Sequence, residues 1–553
     1  MLHLLPRMRI VRYALVLFAI IVPLLTVRPA LASPLGLQSE LVTPGLATYD
    51  YDGGAVAISA DGATALVGAR GYNLFSGLAT VFVRSGATWS KQATFSPSDL
   101  AGGDAFGTSV TLCGDGNTAL VGAPYKTSSS GVVYVFSRMG AAWTQTGLLT
   151  AGTITTGDFF GAAVACSTDG NTAAVGVPNR ASGPNANVGA VVVFTRSGTG
   201  AFTTGPTLTP GDGAAYDNFG SAFAVNGNGG TIVVGAAAKA NDTGAAYVFA
   251  GSGGSYTGVT LARTDAVIGD YFGGSVAVSA DGGTLLVGAP RKTVGTMSSA
   301  GAAYVFTGNG TSYTVTMPTL TAADGQPNDQ YGVTVALSSD ASVAAVSAPY
   351  RNSNTGAVYT LARSGMNYIP SQTITGMFVA GSNGYTFGTG LALNADGSTA
   401  IFGASGKTQN TGTAYAFNSP GSPPTITAVS PGSGPLVGGT PVTITGTNFQ
   451  GGAAVSFGAV PATNVVRVSA TQLTAIVPLS VTSTAVTVTL TNGDGNTATL
   501  TRGYAYVNAA PTPLHATRAP VVGMTPAPIP ATHTPAPTQG AATPTPLPAP
   551  VRH

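Results

Sequence analysis

Apolar and polar residues alternate along most of this chain in short runs broken by Gly, Asp, Asn and Ser. Around residues 108 to 149 the runs are "TSVTLC", "TALVGA", "GVVYVF" and "AAWTQTGLL", with the turn "GDGN" between the first two. A period of two predicts β-strands, and Asp-Gly or Gly-Asn supplies the positive φ of a tight hairpin. The third run is apolar at every position, as a strand covered on both faces would be.

The pattern recurs. A reference glycine, usually after an aromatic residue, falls at Gly53, Gly107, Gly161, Gly220, Gly273, Gly332 and Gly388, with spacings of 54, 54, 59, 53, 59 and 56. Each copy holds four strand patterns, and a four-stranded unit that cannot bury both faces alone is a propeller blade. Fourth-strand segments begin near Trp89, Trp143, Phe202, Tyr256, Tyr313 and Tyr368, whereas the seventh copy runs from "GTAYAF" straight into "NSPGSPP". The missing strand is available as "LQSELVT", Leu37 to Thr43, so the chain's leading strand is expected to complete the last blade and remove two open edges. The expected fold is all-β: a seven-bladed propeller of four-stranded blades over residues 33–419, followed by a sandwich over 420–507.

Composition agrees. There are 77 Gly, only 8% charged residues and a single Glu, Glu40, so exposed helix faces have little to be built from. Arg7, Arg9 and Arg12 precede an apolar stretch from Tyr13 to Val27 and the small-residue sequence "RPALAS". This predicts a secretory signal peptide over 1–32 and a secreted or cell-surface protein, with no membrane insertion after cleavage. Cleavage removes four of the 22 basic residues, leaving 18 against 20 acidic ones, a balance that does not suggest a nucleic-acid partner. Residues 508–553 are dominated by Pro, Thr and Ala and predict an extended, disordered tail. Cys113 and Cys166 fall in equivalent strands one position out of phase, which predicts side chains on opposite faces and two free thiols.

The repeated "DxFG", "DGNTALVGAP" and "GAVYVF" resemble the FG-GAP family of β-propellers, which includes the head of integrin α chains. "PTITAVSPGSGPLVGGTPVTITGTNFQ", from Pro424, resembles an IPT/TIG domain, an immunoglobulin-like sandwich. Repeat one departs from the pattern with Asp52 in place of the aromatic residue, and repeat six has "VSAP" for "VGAP". The resemblance implies binding or adhesion.

The four His lie in the leader and the tail, so the repeats carry no imidazole base or metal ligand. Asp recurs three residues before the reference glycine (Asp50, Asp104, Asp158, Asp217, Asp270, Asp329), eight after it, and eight before it (Asp99, Asp212, Asp265, Asp324). An enzyme site breaks symmetry and these positions keep it, so the expectation is a protein that is not an enzyme and has no cofactor. The Asp that follow the glycine predict turn formers. Each copy also carries a basic residue between its second and third strands: Arg70, Lys126, Arg180, Lys239, Lys292, Arg351 and Lys407. In a four-stranded blade these share a rim with the pairs Asp99/Asp104, Asp212/Asp217, Asp265/Asp270 and Asp324/Asp329. Two readings stand for this rim, ion pairs that tie loops together and a surface that grips an extracellular glycan or protein. The Asp pairs are also the candidate calcium ligands, because the short turn between strands one and two lacks the acidic residues of the integrin cation loop. A polysaccharide-active enzyme working through Asp and a structural surface-layer component are the alternatives to binding.

Overall fold

The computed structural model describes residues 34–508, apart from 253, 377–383, 420–422 and 494. The leader expected over 1–32 and, but for residue 508, the tail expected over 508–553 lie outside the described residues. Among those described, and ahead of residue 420, seven four-stranded sheets follow one another in the chain. In the second of them Ser109–Leu112, Thr118–Ala123, Val132–Met139 and Ala142–Leu149 pair antiparallel in chain order. In the seventh, Phe387–Leu393, Thr399–Ala404 and Ala414–Asn418 are completed by Gly36–Leu41, whose register runs from Gly36 opposite Asn418 to Leu41 opposite Ala414. The ring is thus closed by its leading strand. We number the sheets one to seven as blades, blade one beginning at Ala55–Ile58.

The buried layers follow the sequence pattern. Every residue of the second strand is buried in each blade, "TALVGA", "TAAVGV" and "TAIFGA" among them. In six blades this strand carries a glycine that the neighbouring blade requires, with Ser347 in its place in blade six. A Cβ on Gly122 would lie 2.1 Å from the carbonyl oxygen of Gly161, the reference glycine of blade three, and one on Gly403 would lie 1.8 Å from that of Gly53 in blade one. The two repeated glycines are one contact, made blade to blade and across the closure. Aromatic residues preceding the reference glycine plug the space between strands, with Phe106, Phe160, Phe219, Phe272, Tyr331 and Phe387 all at most 1% exposed.

The turns between strands one and two form an inner hoop of backbone hydrogen bonds. Ala60 donates to Gly114, Asp169 to Gly227, Gly227 to Ala280, Ala280 to Ser339, Ser339 to Ala395, and Ala395 back to Ala60. The remaining step, from blade two to blade three, is bridged covalently. Cys113 and Cys166 form a disulfide with Cα atoms 5.1 Å apart, so the expectation of free thiols is overturned. The difference in phase is what brings the two thiols together. Neighbouring blades stack face to face, so a side chain leaving blade two on one face meets one leaving blade three on the other.

The sandwich pairs Thr425–Ser430, Pro441–Thr447, Gln472–Ile476 and Thr463–Ser469 in one sheet, over a five-stranded sheet centred on Ala485–Thr491. Ile444, Leu473, Val488, Leu490 and Tyr504 fill the space between them. Contact with the propeller is made at the closing seam. Arg84, at the end of blade one's third strand, donates to Thr399 Oγ1 (3.1 Å) and Asn418 Oδ1 (2.9 Å) of blade seven and to the Gly451 carbonyl of the sandwich. The Gly86 amide donates to Gly452 at 2.7 Å, and Gln38 of the closing strand donates to the Gly493 carbonyl.

Candidate functional site

The connection entering each blade and the loop between its second and third strands meet on one rim. In blade two, Lys126 Nζ lies 3.1 Å from Asp104 and 3.4 Å from Asp99. Blade four repeats this with Lys239 (Asp217 3.0 Å, Asp212 3.4 Å), blade five with Lys292 (Asp265 3.0 Å, Asp270 3.4 Å) and blade six with Arg351 (Asp324 2.7 Å, Asp329 3.3 Å). In blade seven Lys407 pairs with Glu40 of the closing strand. These five basic side chains are only 11% to 19% exposed, so their charge is directed inward at carboxylates. The Asp pairs are thus occupied by protein cations, and their inner members also accept backbone amides, as Asp104 does from Ala101 and Asp217 from Ala214.

A third partner escaped the sequence reading. The third-strand tyrosine donates to the outer Asp of each pair: Tyr134 to Asp99 (2.9 Å), Tyr247 to Asp212 (2.7 Å), Tyr304 to Asp265 (2.7 Å) and Tyr359 to Asp324 (2.9 Å). The signal was partial: blades one and three, which lack the outer Asp, have Thr80 and Val192 at that position, whereas blade seven lacks it and keeps Tyr415. Arg263, outside the repeat pattern, brings a second cation to blade five, 2.9 Å from Asp270. The balance of forces varies around the rim. Burial works to raise the Asp212 carboxyl, but the Tyr247 hydroxyl and Lys239 outweigh it and hold it below the ordinary carboxylate range. At Asp329 burial prevails over the Gln326 amide and Arg351, and the carboxyl is raised.

Arg70 and Arg180 are placed differently. Neither makes an ion pair among the described residues; Arg180 Nη1 is buried without a hydrogen-bond partner, while the exposed Arg70 lays its guanidinium over the Tyr51 ring at 4.9 Å. Tyr51 contacts Phe75 and Tyr49, each 6.4 Å between ring centroids, and Tyr125 contacts Phe159 at 5.0 Å. Between these clusters runs a groove of about 460 Å³ lined by Arg70, Leu74, Phe75 and Tyr125 with the small residues Gly103 and Ala105. Its outer lip is the tip of the blade-one loop, where Leu74 is 85% and Phe75 45% exposed.

That tip has an unusual backbone. In five blades the loop contains three successive residues in the left-handed region, at φ 47°, 58° and 63° for Asn73, Leu74 and Phe75. The four sibling loops place Ser128 and Ser129, Asn241 and Asp242, Ser353 and Asn354, and Gln409 and Asn410 where blade one has Leu74 and Phe75. Short polar side chains tolerate this conformation, and bulky apolar ones are disfavoured there. Blade one therefore carries exposed hydrophobic residues in the conformation least suited to them.

Residues 89–136, 143–194, 203–249, 259–306 and 315–361 match the FG-GAP repeat family, and 424–506 match the IPT/TIG domain. The chain carries five FG-GAP repeats followed by an IPT/TIG domain. The five matched FG-GAP stretches contain Phe106, Phe160, Phe219, Phe272 and Tyr331, and the divergent Asp52 lies outside them. FG-GAP and TIG domains are typically non-catalytic, and together they point to an extracellular protein of the binding or adhesion kind. Among curated proteins there is no match. No helix of the described residues is long and apolar enough to cross a membrane.

Proposed function

We propose that this protein is an exported, non-catalytic adhesion module whose propeller, a ring of seven blades, binds an extracellular protein through the rim of blades one and two. In this reading residues 1–32 direct export, 33–419 form the binding head, 420–507 a rigid base and 508–553 a spacer. The carrying observation is the exposed Leu74–Phe75 tip held in left-handed backbone where sibling loops use Ser, Asn, Asp or Gln. Strain of this kind is retained where it serves function. A protruding aliphatic side chain beside Tyr, Phe and an unpaired Arg matches the composition of protein-interface hot spots, and a glycan has no pocket for an aliphatic knob. Arg70 favours a carboxylate at the edge of the partner's apolar patch. The other basic rim residues, paired inward, support the shape of this surface.

The test is a screen of the intact chain against purified extracellular proteins and a glycan array, repeated with Leu74→Ser/Phe75→Asn and with Arg70→Ser. A protein ligand that loses at least tenfold in affinity with either variant supports the reading. Binding to glycans alone, or protein binding indifferent to both variants, overturns it.

A further inference from the structure

The rim carries another pocket at blade six, of about 570 Å³, lined by Gln326, Asn328, Gln330, Tyr350, Asn352 and Asn354 among others. It lies between the connection that enters the blade and the loop joining its second and third strands. Five of these residues are amides, and none of the five side chains makes a hydrogen bond to the protein among the described residues. The charges at this place are engaged with one another, Arg351 with Asp324 at 2.7 Å and with the buried Asp329 at 3.3 Å.

The backbone does not demand these amides. Asn328, Gln330, Asn352 and Asn354 are in the left-handed region, at φ 67°, 55°, 49° and 66°, which Asn tolerates. Blade two holds the same bends with Gly103, Ala105, Thr127 and Ser129, at φ 95°, 53°, 56° and 64°, and has Ala101 at the position of Gln326. Blade four has Ala214, Tyr216, Asn218, Ala240 and Asp242 at the five positions, a single amide. The cluster therefore belongs to blade six and not to the repeat. Tyr350 adds an aromatic face. Its counterpart Tyr125 packs against Phe159 at 5.0 Å, but blade seven has Thr386 at the Phe159 position, and Tyr350, 41% exposed, has no ring packed on it among the described residues.

We propose that this pocket binds a neutral saccharide, the end of an extracellular glycan, with Tyr350 against the apolar C–H face of a sugar ring and the amides on its hydroxyls. Each amide presents two N–H donors and a carbonyl acceptor on one rigid group, which matches hydroxyls that both donate and accept. An aromatic body beside a few convergent polar groups is the usual make-up of a small-ligand site. A charged ligand would find no unengaged charge here to pair with. Blade seven separates this site from the Leu74–Phe75 tip, and the inference does not rest on protein binding there.

The experiment applies the full chain to an array of neutral and charged oligosaccharides, with free monosaccharides as competitors. Beside the wild type it uses Tyr350→Ala, Asn352→Thr/Asn354→Ser and Asn328→Gly/Gln330→Ala. The two double variants install blade-two residues that hold the same backbone, so they decide the matter should Tyr350→Ala lose its fold, which Tm reports. The expected result is binding to neutral saccharides that high salt leaves unchanged, that falls at least tenfold in each folded blade-six variant, and that Leu74→Ser/Phe75→Asn does not alter. Binding to no saccharide or to charged ones alone, retention in all three variants, loss in Leu74→Ser/Phe75→Asn, or a protein ligand released by the blade-six variants in place of a saccharide would overturn the assignment.

Discussion

Lys126 reaches back 22 residues to place its ammonium 3.1 Å from the buried carboxylate of Asp104, while Tyr134 fixes the neighbouring Asp99. Replacing Lys126 by Met keeps most of the packing volume but leaves a buried carboxylate without its cation. We expect a loss of about 1–3 kcal/mol in denaturant unfolding. In a double-mutant cycle, Tyr134→Phe should couple to it, because the two side chains share Asp99.

Leu74 should behave in the opposite way. Leu74→Asn puts a residue tolerant of left-handed backbone at φ 58° and removes an exposed apolar side chain. Stability should be unchanged or rise by up to about 1 kcal/mol, while affinity for the rim ligand falls. A destabilised Leu74→Asn would show that the tip is held by packing and not against its preference.

The disulfide closes a loop with a sequence separation of 53. Loop-closure entropy for that length is about 4 kcal/mol, and measured values for native bridges run about 2–5 kcal/mol. Cys113→Ala/Cys166→Ala should therefore lower Tm clearly, and a reductant should lower the wild type to the same value. Hydrogen exchange should locate the loss at the turns of blades two and three.

Asp52, buried where six sibling repeats carry an aromatic ring, predicts a pH signature. Burial above all, opposed by the Thr43 hydroxyl and the Gly53 amide and reinforced by Asp50, raises its carboxyl to about 7 from an ordinary 3.8. The folded state then binds one proton more than the unfolded state between these values. Stability is full below about pH 4, declines as pH rises toward 7 by at most about 1.4 kcal/mol per unit, and is level above. Asp212 and Asp265, held low, lose their contribution only on the acid side of 3.8. The difference between wild type and Asp52→Asn, followed by chemical denaturation from pH 4 to 8, isolates the slope; parallel curves would refute it.

The architecture could be read from the chain because strand alternation, turn glycines and the fifty-odd-residue period are local properties. The pairing of Leu41 with Ala414 was legible for a similar reason, since one copy lacked a strand and one strand lacked a copy. Relations between blades were harder. The phase of Cys113 and Cys166 gave the faces they leave from, but not that those faces oppose one another. The basic residues and the Asp pairs were visible as repeats, whereas Tyr134 and its siblings looked like ordinary core residues of an apolar strand. Asp52 registered only as a lapse in the pattern, because its burial comes from the bridge it forms with Gly412 of blade seven, distant in sequence. The Leu74–Phe75 tip needed backbone angles that no composition reveals.

Glu40 and Lys407 are 367 residues apart and meet only once the final blade has formed. A growing chain must therefore hold its opening strand unpaired while blade after blade is added. Folding commits late, through contacts of long sequence separation, and is correspondingly slow. Until then both flanks of the unfinished arc offer raw sheet edge to other molecules, so escort during synthesis matters more for this protein than the strength of any one blade.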